Sequence, residues 1–374
     1  MMAEDTTPWY TIDNSGEIDT PALVLYPERV RKNVRAAVGM VRNVTLLRPH
    51  AKTHKSTEAA LILMDEGVRK FKCATIAEAE MLAMAGAPDV LLAYQPVGPK
   101  ILRLLHLVQK YPQTVFSCLI DNLGAAQSIA AVFASHQLIL PVYIDLNVGM
   151  NRTGIRPDAD AAVLFQSCRS LQGIHPVGLH AYDGHIQAGD AAQRREECRA
   201  AFEPVRVLQN TLRDPVHGVP VIIAGGSPTF PIHAEAGDVE CSPGTFVYWD
   251  KNYATSMPDQ PFEPAAVVIT RVVSQPSATT ICLDAGYKSV ASEKDLQHRL
   301  FFLNAPEARF ISQSEEHLVI DVGNRHPFTI GDLLYGLPYH ICPTCALYER
   351  AVAVHGHTAD GQWTMTARDR MISV

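Results

Sequence analysis

The sequence lacks a basic excess. Its 32 Lys and Arg stand against 39 Asp and Glu, for a formal net charge of -7, and the basic residues are spread along the chain. No continuous positive surface for a phosphate backbone follows from that, so nucleic acid is set aside as a partner. A secretory leader is also missing. The opening residues, MMAEDTTPWYTIDNSGEIDT, are acidic and polar, without the cationic start and apolar centre of a signal, which implies a cytoplasmic protein. No run approaches the about 18 uninterrupted apolar residues of a membrane helix, which sets aside a membrane partner. There is no disulfide framework either: the cysteines at 73, 118, 168, 198, 241, 282, 342 and 345 are mostly isolated within apolar segments, as reduced core thiols are. Internal repeats beyond a βα alternation, and low-complexity tracts, are absent. What remains is a 374-residue chain, 47% hydrophobic and 19% charged, long enough to bury a sizeable core in two or three domains without staples.

Two periodicities divide that chain. PERVRKNVRAAVGMVR, residues 27–42, opens on proline and aligns Val30, Val34, Val38 and Val41, which predicts an amphipathic helix. Strand-length apolar runs follow near residues 44–52, 70–75, 89–95, 114–121, 138–147, 174–184, 219–226 and 239–249. Helical segments such as STEAALILMDEG, IAEAEMLAMAGA, GPKILRLLHLVQKYP, NLGAAQSIAAVFASHQ and AAQRREECRAAFEPVRVLQNTLRD lie between most of them. Alternation of this kind implies parallel strands with helical crossovers. Eight strands over roughly 205 residues match an α/β fold of the (β/α)8 TIM-barrel type, with an open doubly wound sheet as the alternative that periodicity leaves open. After about residue 256, AAVVITRVVSQ, ATTICLDAGY, HLVIDV and RAVAVHGHTADGQWTMTARDR read as antiparallel strands. The expectation is a barrel over residues 27–255 and a mainly antiparallel β-domain from residues 1–26 and 256–374, with TPALVLYP given to the β-domain or the junction.

Reactive groups of such barrels sit at the C-terminal ends of the strands. At the end of the first predicted strand, RPHAKTHK carries Arg48, His50, Lys52, His54 and Lys55, and strand alternation puts His50, Lys52 and His54 on one face. A lysine entering a barrel interior loses hydration, which lowers its pKa and suits it to Schiff-base chemistry. The bland alternative is a solvated strand end. The seventh predicted strand runs into GGSPT (Gly225 to Thr229) and the eighth contains PGT (Pro243, Gly244, Thr245). Glycines there let backbone N–H groups and hydroxyls approach an anion, at the usual phosphate position of these barrels, although either motif alone could be a tight turn.

Together with TPALVLYPERVRKN, FKCATIAEAEML, LNVGMNRTG, GLHAYDGH, DAGYKS, SEEHL and HICPT, these motifs make nearly the whole chain resemble the fold-type III pyridoxal-phosphate enzymes. The resemblance is closest to their D-threonine aldolase and D-serine dehydratase branch. It implies that Lys52, not Lys55, bears the pyridoxal phosphate, that Arg152 sits near the cofactor's phenolic oxygen and that Tyr182 lies against or beside its ring. It also implies that Gly226, Ser227, Gly244 and Thr245 hold the phosphate. His340 and Cys342 of HICPTC are two apart, so an extended segment would aim both at one ion and leave positions open to water and substrate. In the branch it resembles, this pair binds a divalent metal (Mn, Mg or Zn). A plain strand end, or a redox pair of Cys342 with Cys345, are the other readings. His185 in YDGH is a candidate for proton transfer, with a satisfied loop histidine as its alternative. His317 and Tyr287 are motif-borne residues of the β-domain, which in related barrels completes the partner's active site and implies a homodimer.

The resulting expectation is a pyridoxal-phosphate- and metal-dependent lyase for D-β-hydroxy-amino acids, a small-molecule substrate class. Cleavage of Cα–Cβ to glycine and an aldehyde makes it a D-threonine aldolase; loss of the hydroxyl to a keto acid and ammonia makes it a D-serine or D-3-hydroxyaspartate dehydratase. The full-chain similarity leans to the aldolase. A non-catalytic pyridoxal-phosphate carrier fits the large second domain poorly, and a metal-dependent hydrolase barrel fits the sparse His-x-Cys pair poorly.

Overall fold

The computed structural model describes residues 7–216 and 218–374, so the first six residues of the expected β-domain lead-in lie outside the described residues. The chain forms two compact units. One takes the chain up to Asn33 together with Val247–Arg368; the other takes Val34–Phe246 and Asp369–Val374.

In chain order, strand β1 (Ala22–Leu25) and helix α1 (Pro27–Met40) come first. Helices α2 (Thr57–Asp65), α3 (Ile76–Met84), α4 (Pro99–Lys110), α5 (Leu123–Ser135), α6 (Ala159–Arg169), α7 (Ala191–Thr211) and α8 (Phe230–Ala236) then alternate with seven strands. These are β2 (Lys70–Cys73), β3 (Asp89–Leu92), β4 (Val115–Ile120), β5 (Leu140–Leu146), β6 (Ile174–Ala181), β7 (Val221–Ala224) and β8 (Glu240–Cys241), parallel and adjacent in sequence order. Helix starts follow their caps: Ser56 accepts from the Ala59 N–H, Thr75 from Glu78, and Asn122 from Gly124 and Ala125.

The first predicted strand is not a regular strand. Val44–Leu46 is a 3-10 turn capped by Asn43, and only residues 47–51 reach the sheet. Leu47 bridges Cys241 of β8, and His50 bridges Lys72 of β2. Arg48 N–H donates to Cys241 O at 2.8 Å, and Lys72 N–H to Pro49 O at 2.9 Å. The segment therefore links the last strand to the first and closes the barrel. Pro49 has no N–H to continue a ladder, which is why the eighth stave stays irregular. β8 is likewise shorter than predicted, since Pro243 follows it two residues on.

Inside the barrel, a charged group lies at one level. Arg48, 1% exposed, pairs with Glu240 (2.7 Å) and Asp89 (2.6 Å), and Lys70 also pairs with Glu240. An apolar cluster of Leu91, Leu119, Tyr143 and Ile223 fills the interior as well.

The other unit adds α9 (Lys251–Ser256), β9 (Ala266–Ser274), β10 (Thr280–Leu283), β11 (Leu300–Phe302), β12 (Arg309–Gln313), β13 (Leu318–Asp321), β14 (Leu333–Pro338), α10 (Ile341–Cys345), β15 (Arg350–His355) and β16 (Thr358–Thr364). Its sheet runs β12-β13-β10-β9-β1-β15-β16, with β14 pairing β9 and β11. Every pairing but the parallel one of β1 with β15 is antiparallel. The TPALVLYP strand is thus an internal strand of this sheet, over a core of Ile12, Val24, Tyr26, Val267, Ile269, Tyr335 and Val354. Among the described residues, no helix is long and apolar enough to cross a membrane.

Candidate active site

A cavity of about 570 Å3 opens at the C-terminal ends of the parallel strands, and its walls include His50, Lys52, Lys72, Asp145, Arg152, His180 and Tyr182. The irregular stave delivers His50 and then turns at residues 51–54, so the predicted alternation stops there. His50 and Lys52 reach the cavity; His54 does not. It is buried instead against Ser56 O at 3.1 Å, and burial pushes it down to about 4. Lys55 has φ 50 and pairs with the fully buried Glu78, whose other oxygen accepts the Ala74 N–H at 2.6 Å. Lys52 has no hydrogen bond or ion pair through its amine among the described residues.

Three cations face the Tyr182 ring: Lys52 Nζ at 5.8 Å from the centroid, Lys72 Nζ at 5.7 Å and the Arg152 guanidinium at 5.1 Å. Asp145 does not neutralise them by direct pairing. Its Oδ1 lies 2.7 Å from His180 Nδ1 and its Oδ2 accepts the Thr153 hydroxyl at 2.8 Å. Burial would raise the Asp145 carboxyl, but those two partners and the Lys72 charge hold it below the usual range. Burial, followed by the charges of Lys52 and Lys72, keeps His50 neutral by driving it well below its ordinary value. Burial also lowers His180, against the pull of Asp145.

Beside the cavity residues run the two glycine motifs. Gly225 has φ +81, and a Cβ on Gly226 would stand 3.1 Å from the Tyr182 ring; one on Gly244 would stand 3.2 Å from His50. The motifs are tied together by the Thr245 N–H donating to Ser227 Oγ at 3.2 Å. Ser227 and Thr245 are buried. Behind the turn, Asp183 accepts from Thr229 Oγ1 (2.8 Å), His233 Nε2 lies 2.8 Å from Asp183, and Cys198 Sγ lies 3.5 Å from that ring nitrogen. Asp183, Cys198 and His233 are metal-binding residue types grouped closely enough to hold an ion. Asp183 joins Thr229, the N-cap of α8, to His233 in the same helix, which anchors that helix to the end of β6. Nothing in sequence reading had singled out the group of Asp183, Cys198 and His233.

His185 is not among the residues that line the cavity, although Met150, next to its neighbour Gly149, is. It is exposed, with its ring packed on Gly149, where a Cβ would meet Nε2 at 2.5 Å. His180, Asp145 and Lys72 were missed by sequence reading, although each left a signal. Asp145 is the one charged residue of its strand LPVYIDL, Lys72 shares a strand face with Lys70 in KFKC, and His180 lies two before Tyr182.

In the β-sheet unit, HICPT is not extended as predicted: Ile341–Cys345 is a short helix with His340 at its N-cap. The two side chains nevertheless meet, because His340 is the last extended residue and Cys342 the second of the helix. Burial works against charge on His340, but Cys342, Glu293 and Asp250 outweigh it and push the imidazole up to about 9. His340 Nδ1 also contacts Glu293, and the buried Asp250, raised to about 6 by burial, accepts the Ile341 N–H at 3.2 Å. An imidazole and a thiol in so negative a setting suit a divalent cation. No cysteine is in a disulfide, and Cys345 is buried. DAGYKS and SEEHL also meet: the Tyr287 N–H donates to Ser314 O at 2.9 Å, and Lys288 pairs with Glu315 and Glu316.

Residues 26–252 match the family described as alanine racemase, N-terminal domain, and residues 265–354 match the putative serine dehydratase domain. The chain is 30% identical over 363 residues to a D-threonine aldolase of Arthrobacter sp., covering 95% of this chain and 94% of that protein. It is 25% identical to the D-threo-3-hydroxyaspartate dehydratase of Delftia sp. (strain HT23), over 92% of this chain and 95% of that one. The crystal structure of D-threonine aldolase from Filomicrobium marinum superposes with a TM-score of 0.87 at 26% identity, covering 94% of this chain and 96% of that chain.

Proposed function

The chain belongs to the alanine racemase N-terminal-domain family of fold-type III pyridoxal-phosphate enzymes, with a serine dehydratase-type second domain, and from that premise we propose that it is a D-threonine aldolase-type lyase. It acts on D-β-hydroxy-amino acids with pyridoxal phosphate and a divalent metal, releasing glycine and an aldehyde. The observation that supports this most is the unpaired Lys52 amine beside Lys72 and Arg152, a surplus of positive charge in a cavity that suits a phosphorylated aldehyde and an amino-acid carboxylate.

Lys52 would hold the cofactor through its amine, Ser227 and Thr245 with the glycine backbone of 226 and 244 would hold its phosphate, and Tyr182 and Arg152 would orient its ring. Bound there, pyridoxal phosphate supplies an electron sink for bonds to Cα. Neutral His50 takes the Lys52 N–H at 3.2 Å and so fixes the turn that aims the lysine. His340 and Cys342 would hold the divalent ion, whose contribution is Lewis acidity toward a hydroxyl. The branch it resembles extends this reading to a homodimer, which sedimentation equilibrium checks.

The test is product analysis on D-threonine and D-serine with pyridoxal phosphate and manganese present. Glycine with acetaldehyde is the expected result. Keto acid with ammonia would transfer the protein to the dehydratases, the second reading, whose support is the lower, 25% full-length identity to the Delftia enzyme. A protein that stays colourless above about 400 nm would sink both.

A further inference from the structure

Strand β2 brings a second amine into the same cavity as Lys52. Lys72 is 2% exposed, and no carboxylate lies within ion-pair distance of it among the described residues. Its Nζ is 3.5 Å from His180 Nε2. Asp145 takes the Nδ1 side of that ring, so Nε2 presents its lone pair to the lysine, and Asp145 is itself held by Thr153. A buried amine with no carboxylate counter-ion destabilises a barrel that an aliphatic side chain would fill. Its presence therefore calls for a chemical reason. The charged groups around it are Lys52, Arg48 and Arg152 on the positive side and Asp145 and Asp183 on the negative, with His50 and His180 as the neighbouring imidazoles. Lys52 and Lys72 stand almost equally far from the Tyr182 ring, at 5.8 and 5.7 Å.

We propose that Lys72 is a second catalytic lysine, the acid–base that carries a proton to and from Cα of the bound amino acid, with His180 and Asp145 as its positioning pair. The inference rests on the pyridoxal-phosphate reading above. In cleavage, one proton leaves the β-hydroxyl as the aldehyde C=O forms, and the electron pair of the broken Cα–Cβ bond ends on Cα. The Lys72 ammonium delivers a proton there, completing glycine, and the amine is reloaded with the proton the hydroxyl released, so none is gained or lost overall. Burial and the Lys52 charge push Lys72 down to about 7, which puts both its forms within reach at neutral pH.

Two measurements on the full chain test this. In the cofactor-free protein, competitive acetylation followed by peptide mass spectrometry reads the titration of Lys72 directly. A midpoint near 7 is expected; a midpoint in the ordinary lysine range, about 10.4, would overturn the proposal. In the pyridoxal-phosphate-loaded protein, exchange of the glycine α-proton in D2O is followed by NMR for wild type, Lys72→Met and Lys72→Gln. Each variant is expected to keep the band above about 400 nm and the borohydride-trapped pyridoxyl group on Lys52, while exchange slows about 100-fold or more. Unchanged exchange in a variant that keeps the band sinks the role of Lys72 alone. Failure of the wild type to trap pyridoxal phosphate sinks the parent reading and the proposal with it, and trapping on Lys72 would make it the cofactor lysine instead. If neither variant folds, the labelling midpoint decides.

Discussion

Three positions separate Lys52 from Lys55, and their surroundings separate them further. Lys52 presents its amine to the cavity; Lys55 is committed to the buried carboxylate of Glu78. Lys52→Ala is accordingly expected to purify without absorbance above about 400 nm after incubation with pyridoxal phosphate, whereas Lys55→Ala keeps it. The second variant should instead lose about 3 kcal/mol of stability, because Glu78 is left buried without its counter-ion. Visible spectra and thermal melts separate the two outcomes, and a reversed pattern would move the cofactor to Lys55. RPHAKTHK already held both lysines. What it could not say is that the chain turns after Ala51, which sends His54 into the core and leaves His50 and Lys52 together on the cavity.

At the scale of elements, the stave at residues 47–51 both closes the barrel and carries the candidate cofactor lysine. Its hold on the sheet is partly ionic, through Arg48 to Glu240 and Asp89, and Glu240 also balances Lys70. Glu240→Gln should therefore cost about 3 kcal/mol in urea unfolding, by leaving two cations in the interior short of negative charge. Pyridoxal-phosphate affinity should weaken alongside it, since the same segment positions Lys52. The loss should exceed that of Glu28→Gln, whose partner His355 is exposed on the surface of its own unit. The HICPT element makes a related point. An i, i+2 argument assumes extended backbone, yet the pair meets at a helix N-cap, where an extended residue is followed by the first turn.

For the molecule as a whole, the two candidate centres reside in separate compact units built from different residues. Removal of divalent metal by a chelator, followed by desalting, is expected to abolish lyase turnover while the absorbance above about 400 nm persists, and manganese should restore the turnover. Turnover that survives chelation would remove His340 and Cys342 from the reaction.

The βα alternation, the switch to antiparallel strands near residue 256 and the motifs bearing Lys52, Tyr182 and His340 were all legible in the sequence, because periodicity and motif spacing are local properties of the chain. Closure of the barrel by an irregular stave, the ion pair that occupies Lys55, and the grouping of Lys72 with His180 and Asp145 belonged to the tertiary structure. Each depends on residues brought together from separate elements: Lys55 and Glu78 are 23 residues apart, and His180 lies 108 residues from Lys72 and 35 from Asp145. Local pattern shows which face of a strand a side chain takes; only the closed sheet determines which other faces it meets.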